Sequence, residues 1–526
     1  MKCSLDSLAP ELIQQIGTEL GKDVTKLRLV CKRMSAVLES HILRSISINI
    51  TKNRLDTGIS QLTTLATQSS DSASATFKLH VRNLCPSMDP SDHSARYVFD
   101  SDIRKWLEKA PSPDPPDVKI AEEKMLAMLH VAIASLSNLQ SLKWNVGQHD
   151  SKWTPAAVVD AMKTLPSLKS LELVLEDVVA GLQLDSLRNL ESIKIFGPSH
   201  YCFRDIMEPL TLLIANSPNL HTIHVGPTYS YGDGPATTLH RLVKFCPSDR
   251  VLPLKDLGLR SLFVKLDNIT VPHLRHLTSL TLLNVRTAKS DSDALSIDNG
   301  EISHPDEIWV TLKAINVHLN ETDVDDSCAA FLDYISSYSG LKRLRLAPNN
   351  FSAREDSDLA ANCFYGSSLG RHVNSLEELS VRPPFEGEWC FGDRALLVIS
   401  QCRKLKLLEG SLVSGSFKEP ADDAVKSLID LTTQVPRLKK LIINPSNLEC
   451  FRWARCGNPA MSHFQWVNTQ VSRCINEYEA SESFEPVPLI VADSRKFVTV
   501  TLPSASTGGV TLRYQCDSDE DEEGDY

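Results

Sequence analysis

The chain reads as an α/β protein: a short three-helix N-terminal head, then a curved repeat solenoid with a parallel sheet and outer helices. Three observations predict this. Residues 10–40 carry apolar positions at helical spacing. From residue 139 onward, the pattern apolar, two spacers, apolar, one spacer, apolar returns in eleven units. The segments between units often carry a second apolar face at helical spacing, as at Phe331, Leu332 and Ile335.

The head comes first. Pro10 suits a first helical turn, where its missing N–H removes a donor that would be unpaired anyway. Leu12, Ile13, Ile16 and Leu20 then lie along one face. Gly21 stops that helix and Asp23 is placed to cap the next. Leu27, Val30, Met34, Val37 and Leu38 keep the three-and-four spacing through to Ser40. A unit of about forty residues with thin apolar faces buries too little to stand alone, so it leans on the rest of the chain or on a partner.

The residues Leu8-Ala9-Pro10-Glu11-Leu12, a spacer, and then Asp23 to Met34 resemble the F-box, and Ile42 to Ile46 resemble the strand that often follows it. The likeness covers about 40 residues, and order, spacing and residue types agree over them. It departs at Ala9, where the family usually has proline, and at Met34, where an aromatic is common. The resemblance implies docking onto the Skp adaptor of an SCF-type ubiquitin ligase, and through it a cullin-RING assembly. Adaptor contacts are expected among Leu8, Pro10, Leu12, Ile13, Leu27, Leu29, Val30 and Met34, some of which must face the head's own core. The plain alternative is a helical cap on the domain that follows.

The array begins at Leu139/Leu142/Trp144 and continues from Leu168, Leu190, Leu220, Leu259, Leu277, Leu312, Leu341, Leu376, Leu405 and Leu438. Its period of about 30 residues resembles degenerate leucine-rich repeats of the longer type, which implies one short strand and one returning helix per unit. The second and third apolar residues point from the strand into the core, and the first fills the preceding turn. The polar stretches 226–258 and 285–309 should loop out. Leu259 and Leu277 lie too close for a helix between them, so one of the two units is misplaced.

The expected organisation is therefore a head at 1–46, lead-in strands and a proline-rich linker at 47–120, the array at 121–450, a closing cap at 451–516, and a disordered acidic tail at 517–526. The lead-in strands are Ile46–Ile50 and Phe77–Val81. The cap has Trp453, Phe464, Trp466 and Tyr478, followed by strand-like alternation at Val487–Val491 and Phe497–Leu502. Seven of the last ten residues are acids.

Composition narrows the function. A net charge of −11 leaves no basic excess to displace counterions, so general nucleic-acid binding is not expected. Apolar runs fall well short of a membrane span, and Asp6, Glu11 and Gln14 break any signal-peptide core. The 13 cysteines include no C-x-x-C pair and read as reduced thiols, with no metal site. The reading is a cytoplasmic or nuclear protein without cofactor.

No catalytic motif is present, so an enzyme is not expected. Gly232-Asp233-Gly234 lacks a third glycine and a preceding strand, and His221 and His224 would lie on opposite faces of a strand. What the repeats offer is a surface, formed by the residues flanking the buried positions. Arg343, Arg345 and Arg382 fall on adjacent units and would clamp a carboxylate or phosphate, or else are simply solvated charges. Asn316 and His318 are assigned to the same face. Phe263 and Ile442 are unusually apolar for it. The resemblance therefore implies a substrate receptor that holds an unidentified protein target. The alternative is a leucine-rich-repeat interaction scaffold acting outside a ubiquitin ligase.

Overall fold

The structure, a computed structural model, describes residues 8–20, 24–67, 75–88, 97–100, 105–108, 116–176, 181–197, 203, 206–227, 238–287, 305–417, 424–452, 459–480, 486–503 and 510–517. The chain divides into two compact units, residues 1–254 and 255–526.

The first unit opens with three helices, α1 (Pro10–Leu20), α2 (Val24–Arg28) and α3 (Lys32–Leu43). Ile13, Val24, Met34 and Leu38 make their core, flanked by Leu8, Leu27, Cys31 and Val37. Cys31 caps α3, its sulfur accepting from Met34 N at 3.5 Å. Arg33 Nη2 donates to Leu8 O at 2.8 Å, which ties the chain before α1 to the start of α3.

A parallel ladder follows directly. It runs β1 (Ser45–Ile50), β2 (Lys78–Leu84), β5 (Ser141–Val146), β6 (Ser170–Leu175), β7 (Ser192–Gly197) and β8 (Thr222–Pro227), each paired in parallel with the next. Between β2 and β5 lie a separate antiparallel hairpin, β3 (Tyr97–Asp100) with β4 (Lys105–Glu108), and the helix Pro116–Ala134. Both lead-in strands thus belong to the ladder itself. Alternation explains the packing: on β5, β6 and β7, every second residue is buried and its neighbours are half-exposed.

The second unit repeats the arrangement. Its strands β9 (Asp256–Arg260), β11 (Ser279–Leu283), β13 (Glu321–Val324), β14 (Arg343–Leu346), β15 (Glu378–Val381), β16 (Leu407–Ser411), β17 (Lys440–Asn444) and β19 (Leu489–Ala492) pair in parallel in that order. Two short strands, β10 (Phe263–Val264) and β12 (Arg286–Thr287), pair apart from it. At the C-terminal side, β20 (Arg495–Pro503) and β21 (Val510–Asp517) continue the sheet antiparallel, and β18 (Glu479–Ala480) pairs with β21. The reversal begins at Asp493 and Ser494, which both take positive φ (51° and 62°), as a tight hairpin turn demands.

Nine of the eleven predicted units fall on these strands. Two do not. At Leu259/Leu262/Val264, the strand actually uses Leu257 and Leu259, and Ser261 at φ 48° turns the chain away before Leu262. At Leu312/Ile315/Val317, the helix Asp306–Ala314 takes Leu312, and the strand is supplied by Thr322 and Val324. An apolar pair three residues apart satisfies a helix as well as the repeat, and Ile308, Trp309 and Leu312 bury together on that helix. A four-residue 3₁₀ turn, Val271–Leu274, fills the short gap before β11.

Gly232-Asp233-Gly234, Trp453, residues 228–237 and 288–304 of the polar insertions, and the tail from Ser518 lie outside the described residues. The rest of the insertions does not simply loop out: the short helix Leu239–Val243, β9 from Asp256 and the helix from Asp306 occupy part of it, because Leu239, Leu242, Leu254 and Leu257 bury there. Among the described residues, no helix is long and apolar enough to cross a membrane.

Candidate functional site

Two surfaces carry the functional candidates, and they belong to different compact units. On the head, the eight expected contact residues separate by depth. Ile13 (1% exposed) and Met34 (0%) are core. Leu8 and Leu27 are half-buried against that core. Pro10 and Leu12 are exposed, as are Leu29 (85%) and Val30 (67%), which follow α2. Leaving Leu29 and Val30 in water forgoes the roughly 1.5–3 kcal/mol that burying each side chain contributes. Ile13 and Met34 therefore shape the head from within, and the exposed apolar residues are those available to a partner.

The second surface is the open face of the second unit's sheet. Strand register places its residues in rows. One row reads Asp256, Ser279, Glu321, Arg343, Glu378, Leu407, Lys440 and Leu489. The next reads Gly258, Thr281, Asp323, Arg345, Ser380, Glu409, Ile442 and Val491.

Arg343 and Arg345 lie on these rows as expected, and Arg382 directly follows β15. Each guanidinium faces a carboxylate from an adjacent strand. Arg343 is hydrogen-bonded to Glu321, Arg345 stands 3.7 Å from Glu378, and Arg382 stands 4.0 Å from Glu409. On the neighbouring strand, Asp323 pairs across to Arg345; burial raises its carboxyl against the opposing pull of Arg382, Arg345 and Arg260. The arginines do come together, but inside a cross-strand lattice of alternating charge. Such half-exposed pairs are worth about 0–1 kcal/mol each.

The other three target candidates are not on this face. Asn316 follows the helix Asp306–Ala314 with φ 57°, a left-handed position that asparagine tolerates well at a helix end. His318 lies in the connection to β13 and stacks on Tyr338, with ring centroids 5.0 Å apart and planes 5° from parallel. Phe263 is on the separate β10–β12 pair. All three were displaced by the two misplaced units. Leu489 and Val491 were missed as face residues. Their alternation is visible in the sequence, but only register shows that β19 extends the parallel ladder beside β17.

Among the described residues, no group of three or more His, Cys, Asp or Glu side chains is placed to hold a metal ion. The buried cysteines Cys328, Cys390 and Cys402 have thiols pushed up by burial, to about 12 for Cys390 and Cys402, far from the range of a reactive thiolate. A scan of the chain against protein-family models finds no match, and a search of curated proteins finds no significant one.

Proposed function

We propose that this protein is the substrate-recognition adaptor of an SCF-type ubiquitin ligase: the head docks a Skp-type adaptor, and the repeat face holds a protein to be ubiquitinated. In this role the chain is a scaffold without an active site. The reading is carried by the head, whose sequence resembles the F-box and whose exposed Leu12, Leu29 and Val30 stand outside the core built by Ile13, Val24, Met34 and Leu38. Exposed leucine and valine beside so small a core are what a docking face would offer.

A second reading is favoured by a specific set of contacts. Arg44 O accepts hydrogen bonds from Phe77 N (3.0 Å) and Lys78 N (2.9 Å), and Thr76 Oγ1 donates to Leu43 O at 3.0 Å. The end of the head is thereby stitched to the first two strands, as a cap on a repeat scaffold acting outside a ligase would be.

Co-purification with a Skp-type adaptor separates the two. The ligase reading expects a complex at micromolar concentration that is lost in Leu29→Ala/Val30→Ala. A folded chain with no adaptor binding leaves the scaffold reading.

A further inference from the structure

The open face of the second unit changes character along its length. From β9 to β15 its two rows hold polar, charged or glycine residues: Asp256, Ser279, Glu321, Arg343 and Glu378 in one, Gly258, Thr281, Asp323, Arg345 and Ser380 in the other. From β16 onward, Leu407, Ile442, Leu489, Val491 and Val498 enter the rows. Ile442 pairs across to Val491, Leu489 pairs across to Val498, and Leu407 lies diagonal to Ile442. At strand spacing these five side chains form one patch, bordered in the second row by Glu409 beside Ile442 and Lys496 beside Val491. All are half-exposed, whereas the alternate residues Leu408, Leu441, Ile443 and Ile490 are buried in the core.

Lys440 sits inside the patch, between Leu407 and Leu489 in the same row. Arg343 and Arg345, farther along the face, each meet a glutamate. Lys440 meets none among the described residues, and both its row neighbours are leucine. The diagonal neighbour Glu409 is engaged by Ser380 Oγ at 2.6 Å and Asn444 Nδ2 at 2.7 Å. An ammonium flanked in its row by leucines attracts a carboxylate strongly, because water that would screen the pair is displaced when the apolar surface is covered.

We infer that this patch is where the repeat face grips its protein target, and that the target presents large apolar side chains flanking one aspartate or glutamate. The inference rests on the reading of the repeat face as a protein-binding surface and is independent of adaptor docking. It moves the recognition centre away from Arg343, Arg345 and Arg382, whose charges are already met by carboxylates on the face.

The test uses the full chain and a displayed library of random short peptides, with selected peptides remeasured singly. The expected result is enrichment of peptides with an acid between large apolar residues. Binding should fall roughly tenfold or more in Ile442→Asp. Because Ile442→Asp can also harm folding, Lys440→Glu is selected in parallel. It should keep the parent's thermal midpoint and switch the enriched residue from acidic to basic. No enrichment, or unchanged preference in Lys440→Glu, overturns the inference. So does peptide binding that appears only after removal of residues 518–526, which makes the chain's own tail the occupant. Concentration-dependent self-association abolished by Ile442→Asp also overturns it, since a second copy then covers the patch. Adaptor binding measured on the same variants should be unchanged, which keeps this result separate from the ligase reading.

Discussion

Glu386 Oε1 and His463 Nε2 meet at 3.1 Å, with only 9% of either side chain exposed. The same carboxylate accepts from Ser414 N and Ser414 Oγ, both at 3.0 Å. These bonds join the loop after β15, the turn after β16 and the helix Pro459–Glu477, so one acid fastens the C-terminal helix to the ladder. Glu386→Ala should lower stability by about 2–4 kcal/mol, because it strands buried donors as well as removing bonds. His463→Ala should do less, and chemical denaturation of the double-mutant cycle should show coupling of about 1 kcal/mol or more. Strict additivity would mean the two side chains are adjacent without being energetically linked.

A second prediction concerns Gly410, the one residue without a side chain among the third positions of the repeats. Phe391, 5% exposed, lies over it, and a Cβ at Gly410 would overlap the ring. Phe391 therefore fills the space that an aliphatic residue fills in neighbouring units, and its N–H donates to Ser411 O at 2.8 Å. Gly410→Ala should cost about 1–3 kcal/mol by overpacking, and Phe391→Ala about 3–5 kcal/mol by cavity formation. Gly410→Leu combined with Phe391→Ala should be less destabilising than the sum of the two singles. A simple sum, measured by urea denaturation, would rule out this exchange of volume.

The head supplies a third. Met34→Ala should destabilise it by about 2–5 kcal/mol, since Met34 is fully buried with Ile13, Val24 and Leu38. Leu29→Ala, at a position 85% exposed, should change stability by less than about 0.5 kcal/mol. If the head docks an adaptor as proposed, that affinity should fall in Leu29→Ala with the thermal midpoint unmoved. Equal loss of stability in both variants would place Leu29 in a core it does not occupy here.

The fourth concerns pH. Burial raises Asp150 and Asp325 from 3.8 to about 6, although Gly147 N and Asn284 N donate to their carboxylates at 3.0 and 2.7 Å. A carboxyl whose folded value lies above its unfolded one binds protons more readily when folded. Its stabilising contribution is complete below about pH 4 and is lost as pH rises through about 6. Asp150→Asn/Asp325→Asn keeps an acceptor oxygen but removes the buried charge. The double variant should melt higher than the parent near pH 7, with the difference vanishing near pH 4. A difference constant with pH would show that the two carboxylates do not titrate across this window.

Much of the fold was legible because the repeat is local. Leu168, Leu171 and Leu173 declare a turn and a strand without reference to any other unit, and the same holds at Leu341 and Leu376. The arginine positions 343 and 345 followed from the same alternation. The surface was less legible. Leu312, Ile315 and Val317 matched the repeat by spacing while belonging to a helix and its exit, and that slip carried Asn316 and His318 to a face they do not occupy. Phe263 was displaced by the equivalent slip beyond Ser261.

Local alternation of apolar and polar residues settled that this chain builds strands and returning helices around a leucine core, since burying every second side chain requires nothing beyond the strand itself. Pairing decided the rest. Which residue stands beside Lys440 depends on β16 and β19 arriving in register on either side of β17, and the intervening segments set that register only when the chain is packed. The same packing matches Arg343 with Glu321 and leaves Lys440 between two leucines, because cross-strand neighbours are remote in sequence and meet only through the sheet.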